Sequence, residues 1–380
     1  MGVSRADGLA PALRRGERLP ALDGVRGSAV ILVMLFHFKS KPLVPGGFLA
    51  VDLFFVLSGF LITGLLLSER RTRGTIGLKA FYLRRAARLL PAYLLVWLAY
   101  LLAVLLLPAG ITSVASLTEC LPDLALGLGY VFNWKLALSA SSPPSIAHLW
   151  SLCIEEQYYL LWPCVVMLVA GYCKSERQAL LVYLGLACVA CLVPGALHQL
   201  YALGWRRLYY GTDARLHGLL VGSVLGSARA CRLPVFEWMG RPLARQLLAA
   251  AAIWFVADLM TVEPVDPVFL TGELPALSVG LALLVSAASE LRAGAVYRVL
   301  ASPALVYLGR RSYALYLWHL PLAHWFRRLE PVPHVLLCFA ASLLMAELSW
   351  QLLERHALRY GSAVLRRREQ GRVAGHQLRG

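Results

Sequence analysis

Charge is scarce in this chain. Asp, Glu, Lys and Arg together make up only 15% of the 380 residues, against about a quarter in a typical soluble domain. Acidic residues are scarcer still, at 21 against 37 Lys and Arg. This shortage excludes an ordinary soluble core. Hydrophobic residues reach 59% and mean hydropathy is +0.64, more apolar surface than a soluble chain of this length can bury. Lipid has to solvate many segments. An apolar leader is also missing: residues 1–24 are polar and Arg-rich, so the mature spans are expected to direct insertion without a cleavable signal. No internal repeat and no appended soluble domain is expected. Eight cysteines are present, mostly inside apolar runs. Cys188 and Cys191 form a Cys-x-x-Cys, but no second pair follows it. They read as small buried apolar residues, and no metal is expected.

What is abundant is apolar sequence punctuated by arginine. A net charge of +16 and a pI near 9.8 would suit nucleic acid, but the basic residues cluster between apolar runs. That pattern fits loops held at an anionic leaflet of a bilayer, and no nucleic-acid partner is expected. Basic residues are overwhelmingly Arg, a bias compatible with a G+C-rich bacterial genome. Apolar runs mark membrane spans near 23–40, 48–67, 89–107, 148–171, 179–197, 211–227, 244–262, 274–291, 311–327 and 334–354, each crossing a hydrocarbon layer of about 30 Å. The connection holding Arg70, Arg71, Arg73, Lys79, Arg84, Arg85 and Arg88 against Glu69 alone is expected in the cytoplasm. The stretch with Asp258, Glu263, Asp266 and Glu273 carries no Lys or Arg and is expected outside. An even count of ten then puts both termini in the cytoplasm, with Arg206 and Arg207 a modest violation. Residues 121–139 are apolar, but Asp123, Asn133 and Lys135 interrupt them. They are expected as an outer re-entrant or interfacial segment. The fold class is thus an all-α polytopic membrane protein. Residues 1–22 form a cytoplasmic segment, 23–356 the membrane domain and 357–380 a basic cytoplasmic tail.

Ionisable groups inside such spans cost about 2.5–3.5 kcal/mol each on insertion scales, so they are functional candidates. In the first span Asp23, Arg26, Val30, Val33 and His37 recur at three- and four-residue steps on one helical face. Arg26 and His37 are nearly eclipsed and roughly 16 Å apart along the axis. Taken singly, Arg26 is as readily a snorkelling anchor and His37 a packing residue. Asp52 enters the second span, where Ser58-Gly59 suits close helix packing. Glu155 and Glu156 lie about a third of the way into the fourth span and point about a hundred degrees apart. His319 occupies the ninth. His37, Glu155 and His319 come to similar depths on different helices, which predicts a buried polar chamber. At the mouth of the third span, Arg85 and Arg88 share a face suited to phosphate oxygens. Spacing alone favours topology and lipid headgroups for that pair.

In order along the chain stand Leu22-Asp23-Gly24-Val25-Arg26 with His37 after ten residues, Gly47-Phe48 to Ser58-Gly59-Phe60, and Arg85-x-x-Arg88. Trp150-Ser151-Leu152 with Glu155-Glu156-Gln157-Tyr158, and Ser312-Tyr313 to His319-x-Pro321, follow. This set, over residues 20–356, resembles the acyltransferase type 3 family of bacterial membrane O-acyltransferases. The resemblance implies ten spans, both termini inside, and acyl transfer from cytoplasmic acyl-coenzyme A to a hydroxyl of a sugar, polysaccharide or natural product such as a macrolide. It implies that the Arg26–His37 pair is essential and that Arg85 and Arg88 serve the donor. It implies no bound cofactor, and a home in the bacterial cytoplasmic membrane. One departure is His217 in Thr212-Asp213-Ala214-Arg215-Leu216-His217, where the family often has an acid. The fused outer esterase-like domain of longer relatives is not expected here.

These residues can supply the chemistry. An alcohol needs a base to take its proton during attack on a thioester, and His37 suits that task. Arg26, His319 or backbone donors would stabilise the oxyanion, and Glu155 would orient a histidine. A covalent acyl-enzyme on Ser58, Ser151 or Cys153 is the other route. The rival reading is a proton-coupled secondary transporter, since intramembrane His, Glu and Arg also build proton relays. No inverted repeat supports it. An idle scaffold fits less well with the intact Arg26–His37 pair.

Overall fold

A computed structural model describes residues 19–38, 42–107, 116–139, 143–231, 242–262, 266–327 and 331–365. Its helices, in chain order, are α1 (Pro20–His37), α2 (Ala50–Arg73), α3 (Leu78–Leu106), α4 (Leu117–Leu128), α5 (Phe132–Leu138), α6 (Leu149–Tyr172), α7 (Glu176–Tyr201) and α8 (Trp205–Tyr210). They continue as α9 (Thr212–Ala230), α10 (Pro242–Thr261), α11 (Leu274–Glu290), α12 (Ala295–Leu300), α13 (Pro303–Arg310), α14 (Ser312–Trp325) and α15 (Pro331–Ser349). No strand occurs among the described residues. The protein is all-α and multi-pass, as composition predicts.

Among the described residues, eight helices are long and apolar enough to cross a membrane. The expected spans at 211–227 and 311–327 are helical but do not qualify on their own. α14 is 14 residues, about 21 Å, and falls short of the hydrocarbon thickness. α9 is long enough at 19 residues but carries Asp213, Arg215, His217 and Arg229. Its surroundings explain that composition. α9 packs against α2, α7 and α11, and most of its side chains are buried, so protein and not lipid solvates it. Residues 121–139 do not span: a 12-residue and a 7-residue helix meet at Tyr130, whose φ of 54° turns the chain. By contrast α3 presents Leu90, Leu94, Leu98, Leu102 and Leu105 as an exposed stripe at three- and four-residue steps, a lipid-facing surface. Pro91, Pro163, Pro194 and Pro321 sit inside helices, as membrane helices tolerate.

The chain divides into two compact units, Met1–Ile76 with Ala125–Arg310, and Gly77–Leu124 with Arg311–Gly380. In the first, α2 and α9 form the central seam. A Cβ added at Gly59 would stand 1.8 Å from the Leu219 carbonyl oxygen, and one at Gly222 2.2 Å from that of Val56. Only hydrogen at these positions lets the two backbones meet, the close approach that small residues give membrane helices. α1 packs on α13 and α2, and α6 on α2. In the second unit, α3 packs with α14 and α15, and the Tyr313 hydroxyl donates to the Leu89 carbonyl at 3.2 Å.

Loop charge gives a topology test. Thr75, after the basic end of α2, and Asp266, before α11, are exposed, whereas Asp258 is buried. Cysteine placed at Asp266 is expected to react with an impermeant thiol reagent in intact cells. Cysteine at Thr75 is expected to react only after permeabilisation. Labelling of both from one side would sink the ten-span orientation.

Candidate functional site

The first unit gathers intramembrane polar groups along the α2–α9 seam, with α6 laid beside it. Nearest the start of α2, Asp52 and Arg215 form an ion pair, Arg215 Nη2 donating to Asp52 Oδ2 at 2.9 Å with both side chains buried. The guanidinium also sits 5.9, 5.4 and 5.1 Å from the ring centres of Phe55, Trp150 and Tyr209, a box of π faces that favours the cation. The pairing is monodentate. Asp52 Oδ1 and Arg215 Nε and Nη1 have no hydrogen-bond partner among the described residues. Buried charges held this loosely point to function more than to stability.

Two turns further along α2, Ser58 donates to Glu155 Oε1 at 3.0 Å. The Tyr159 hydroxyl lies 2.8 Å from Ser58 Oγ and 3.3 Å from Glu155 Oε2. Glu155 therefore gathers two hydroxyls, one from its own helix and one from α2. A carboxylate against a serine hydroxyl, with a second donor on the same oxygen, can take up the serine proton and steady the charge left behind. Of the three nucleophile candidates, Ser58 hydrogen-bonds a carboxylate, and Ser151 donates to the His148 carbonyl at 3.3 Å. Next comes a neutral relay. Trp162 Nε1 donates to Thr63 Oγ1 at 2.7 Å, and the Tyr158 hydroxyl stands 2.8 Å from Ser223 Oγ.

A closed amide ring holds α5, α6 and α9 together. Gln157 Nε2 donates to the Tyr130 carbonyl at 2.7 Å and to Asn133 Oδ1 at 3.0 Å. Thr212 Oγ1 donates to Gln157 Oε1 at 2.6 Å, and Asn133 Nδ2 to Thr212 Oγ1 at 2.9 Å. Asn133, which argues from sequence against a span, is one of its fixed members. His217 places Nδ1 2.9 Å from Ser278 Oγ, a buried contact between α9 and α11.

His37 ends α1, in the same unit. Its Nδ1 lies 2.9 Å from the Val33 carbonyl. A carbonyl can only accept, so Nδ1 carries the proton and the basic lone pair of the neutral ring is on Nε2. Arg26 is half-buried on the same helix. The other expected site residues belong to the second unit. His319 is buried, with Nδ1 2.6 Å from the Tyr316 carbonyl, which sets the same tautomer. Arg85 lies 5.8 Å over the Phe81 ring and is half-buried; Arg88 is exposed.

With this geometry in hand, the family model for the type 3 "Acyltransferase domain" matches residues 19–350. The chain belongs to the acyltransferase type 3 family. The peptidoglycan O-acetyltransferase OatA of Listeria monocytogenes is 30% identical over 353 residues, covering 88% of this chain and 55% of its own length. A Bacillus subtilis family member, YrhL, provisionally named for the same activity, is 31% identical over 355 residues, covering 89% and 54%. A Staphylococcus aureus (strain COL) protein provisionally named an O-acetyltransferase is 30% identical over 355 residues, covering 88% and 56%. The chain therefore spans a little over half the length of these curated relatives. No solved structure matches it.

Two features of this acyltransferase-family site escaped the sequence reading. The Asp52–Arg215 pair joins residues 163 apart. The signal was there, since Asp52 and Arg215 are opposite charges inside apolar runs. Ser58 and Glu155 were each readable as candidates, but their contact with one another and with Tyr159 was not, because serine and tyrosine are commonplace in helices.

Proposed function

We propose that this protein is a membrane O-acyltransferase of the bacterial cytoplasmic membrane, carrying an acyl group from cytoplasmic acyl-coenzyme A to a hydroxyl of a glycan or other natural product. His37 carries the reading. It is an intramembrane histidine in a family member, with Nε2 the basic nitrogen. The acceptor oxygen attacks the thioester carbonyl carbon as its proton passes to Nε2. The C–S bond then breaks, the departing sulfur takes the proton back as a thiol, and the acyl group is left as an ester. Arg26 or backbone donors are proposed to stabilise the developing oxyanion, and Glu155 to orient a histidine. A glycan acceptor draws support from the Listeria relative, whose name is that of a peptidoglycan O-acetyltransferase.

The test is thioester turnover by purified protein, which a proton-coupled transporter would not perform. The same assay addresses the donor. Coenzyme A carries several phosphate charges, and Arg85 and Arg88 are proposed to meet them. Losing one charge-assisted contact typically costs about 1.5–3 kcal/mol, or roughly ten- to a hundredfold in affinity. Arg85→Gln with Arg88→Gln is expected to raise KM for acyl-coenzyme A far more than KM for the acceptor. A correctly inserted double mutant with unchanged donor KM would return both arginines to the role of topology anchors.

A further inference from the structure

A cleft of about 320 Å³ opens in the first unit where the C-terminal ends of α2, α6 and α9 meet the start of α7, with Arg70, Arg71, Lys174, Ser175, Glu176 and Cys231 among its lining residues. That volume falls within the range of small-molecule sites, about 300–1,000 Å³. Three cations and one carboxylate surround it. Arg71 has structural duties: Nη1 donates to the Ala230 carbonyl at 2.5 Å, and Nε is 3.6 Å from Glu176. Arg70 and Lys174 do not. Among the described residues neither side-chain cation has a hydrogen-bond or ion-pair partner.

The start of α7 adds to this field. Ser175 caps it by accepting from the Gln178 amide at 3.2 Å, and the remaining first-turn amides with the helix dipole favour an anion. A further polar group stands one helical turn along α7 from the lining residue Ala179. Tyr183 is fully buried and its hydroxyl has no hydrogen-bond partner among the described residues. Its electrostatic neighbours Cys173, Cys231 and Arg70 are all lining residues. Topology anchoring explains basic residues at a helix end. It does not explain a concave site with two uncommitted cations and an unpartnered buried hydroxyl one helical turn along α7.

We infer that this cleft binds a phosphate group, carried either by the headgroup of an anionic phospholipid or by a soluble phosphorylated ligand. The inference does not depend on acyl transfer. Two probes separate the sources. Inorganic pyrophosphate is titrated calorimetrically into the full chain in a neutral detergent. Retention of phosphatidylglycerol against phosphatidylcholine is measured by native mass spectrometry after extraction from mixed nanodiscs. Lys174→Gln, at a loop position, is expected to weaken binding about tenfold, and Arg70→Gln with Lys174→Gln about a hundredfold. Arg70→Lys with Lys174→Arg should retain most of it. Pyrophosphate binding that follows this order assigns a soluble phosphate. Selective phosphatidylglycerol retention that follows it, without pyrophosphate binding, assigns a headgroup. Wild-type protein that selects neither probe overturns the inference. So does Lys174→Gln protein of unchanged melting temperature that binds as tightly as wild type.

Discussion

His37→Ala is expected to lower acyl transfer by about a hundred- to ten-thousandfold, the range typical for loss of a positioned general base. Insertion and yield should stay near wild type. The Nδ1 contact of His37 runs to Val33 of its own helix, so that contact ties no second helix to the first. The measurement is release of free coenzyme A thiol by purified variant and wild type, beside size-exclusion profiles of both. A monodisperse variant that keeps more than about a tenth of wild-type turnover would move the base elsewhere. His319 is then the next candidate, because its Nδ1 is also committed to a backbone carbonyl, that of Tyr316.

The second large effect is expected from a single methyl group. Gly222→Ala puts a carbon where the Val56 carbonyl oxygen already stands, 2.2 Å away. Real carbons do not approach that closely, so α2 and α9 must part. Overpacking of a well-packed core typically costs about 1–3 kcal/mol, occasionally more. Here backbone meets backbone, and no side chain can swing aside. Ser58 and Arg215 lie on the two separating helices, so the Ser58–Glu155 and Asp52–Arg215 contacts should loosen with them. Gly185→Ala is the control, since nothing lies within 4 Å of a Cβ there. The expected result is a marked loss of melting temperature and folded yield for Gly222→Ala alone. Equal melting curves for the two variants would refute the seam.

Much of this architecture was legible before any coordinates. Long apolar runs bounded by arginines mark helices because a lipid-exposed backbone has no other way to satisfy its polar groups. The reading was weakest where protein replaces lipid as the solvent. α9 is polar because neighbouring helices surround it, and α14 is too short to span alone; neither property follows from hydropathy. The interruption of residues 121–139 by Asn133 was readable, but its ring with Gln157 and Thr212 was not. Site residues divide the same way. An intramembrane His or Glu announces itself by its cost. Ser58 and Tyr159 matter through their partners, and partners 97 and 101 residues away along the chain leave no mark in local spacing. The Ser58-Gly59 pair lay between these extremes: it suggests close helix packing, but not that the Leu219 carbonyl of α9 is what Gly59 meets.

The buried pair of Asp52 and Arg215 also bears on how the protein is made. Asp52 is synthesised early, on the second long helix, while its counter-charge emerges only after 163 more residues have been translated. Through that interval the carboxylate has no guanidinium to face, and alone in lipid it carries a penalty of about 2.5–3.5 kcal/mol. The ion pair can therefore close only once the ninth helix has arrived between its neighbours. Maturation of the early helices is thus tied to completion of the later ones, and charge neutralisation marks the moment at which the bundle becomes self-sufficient in the bilayer.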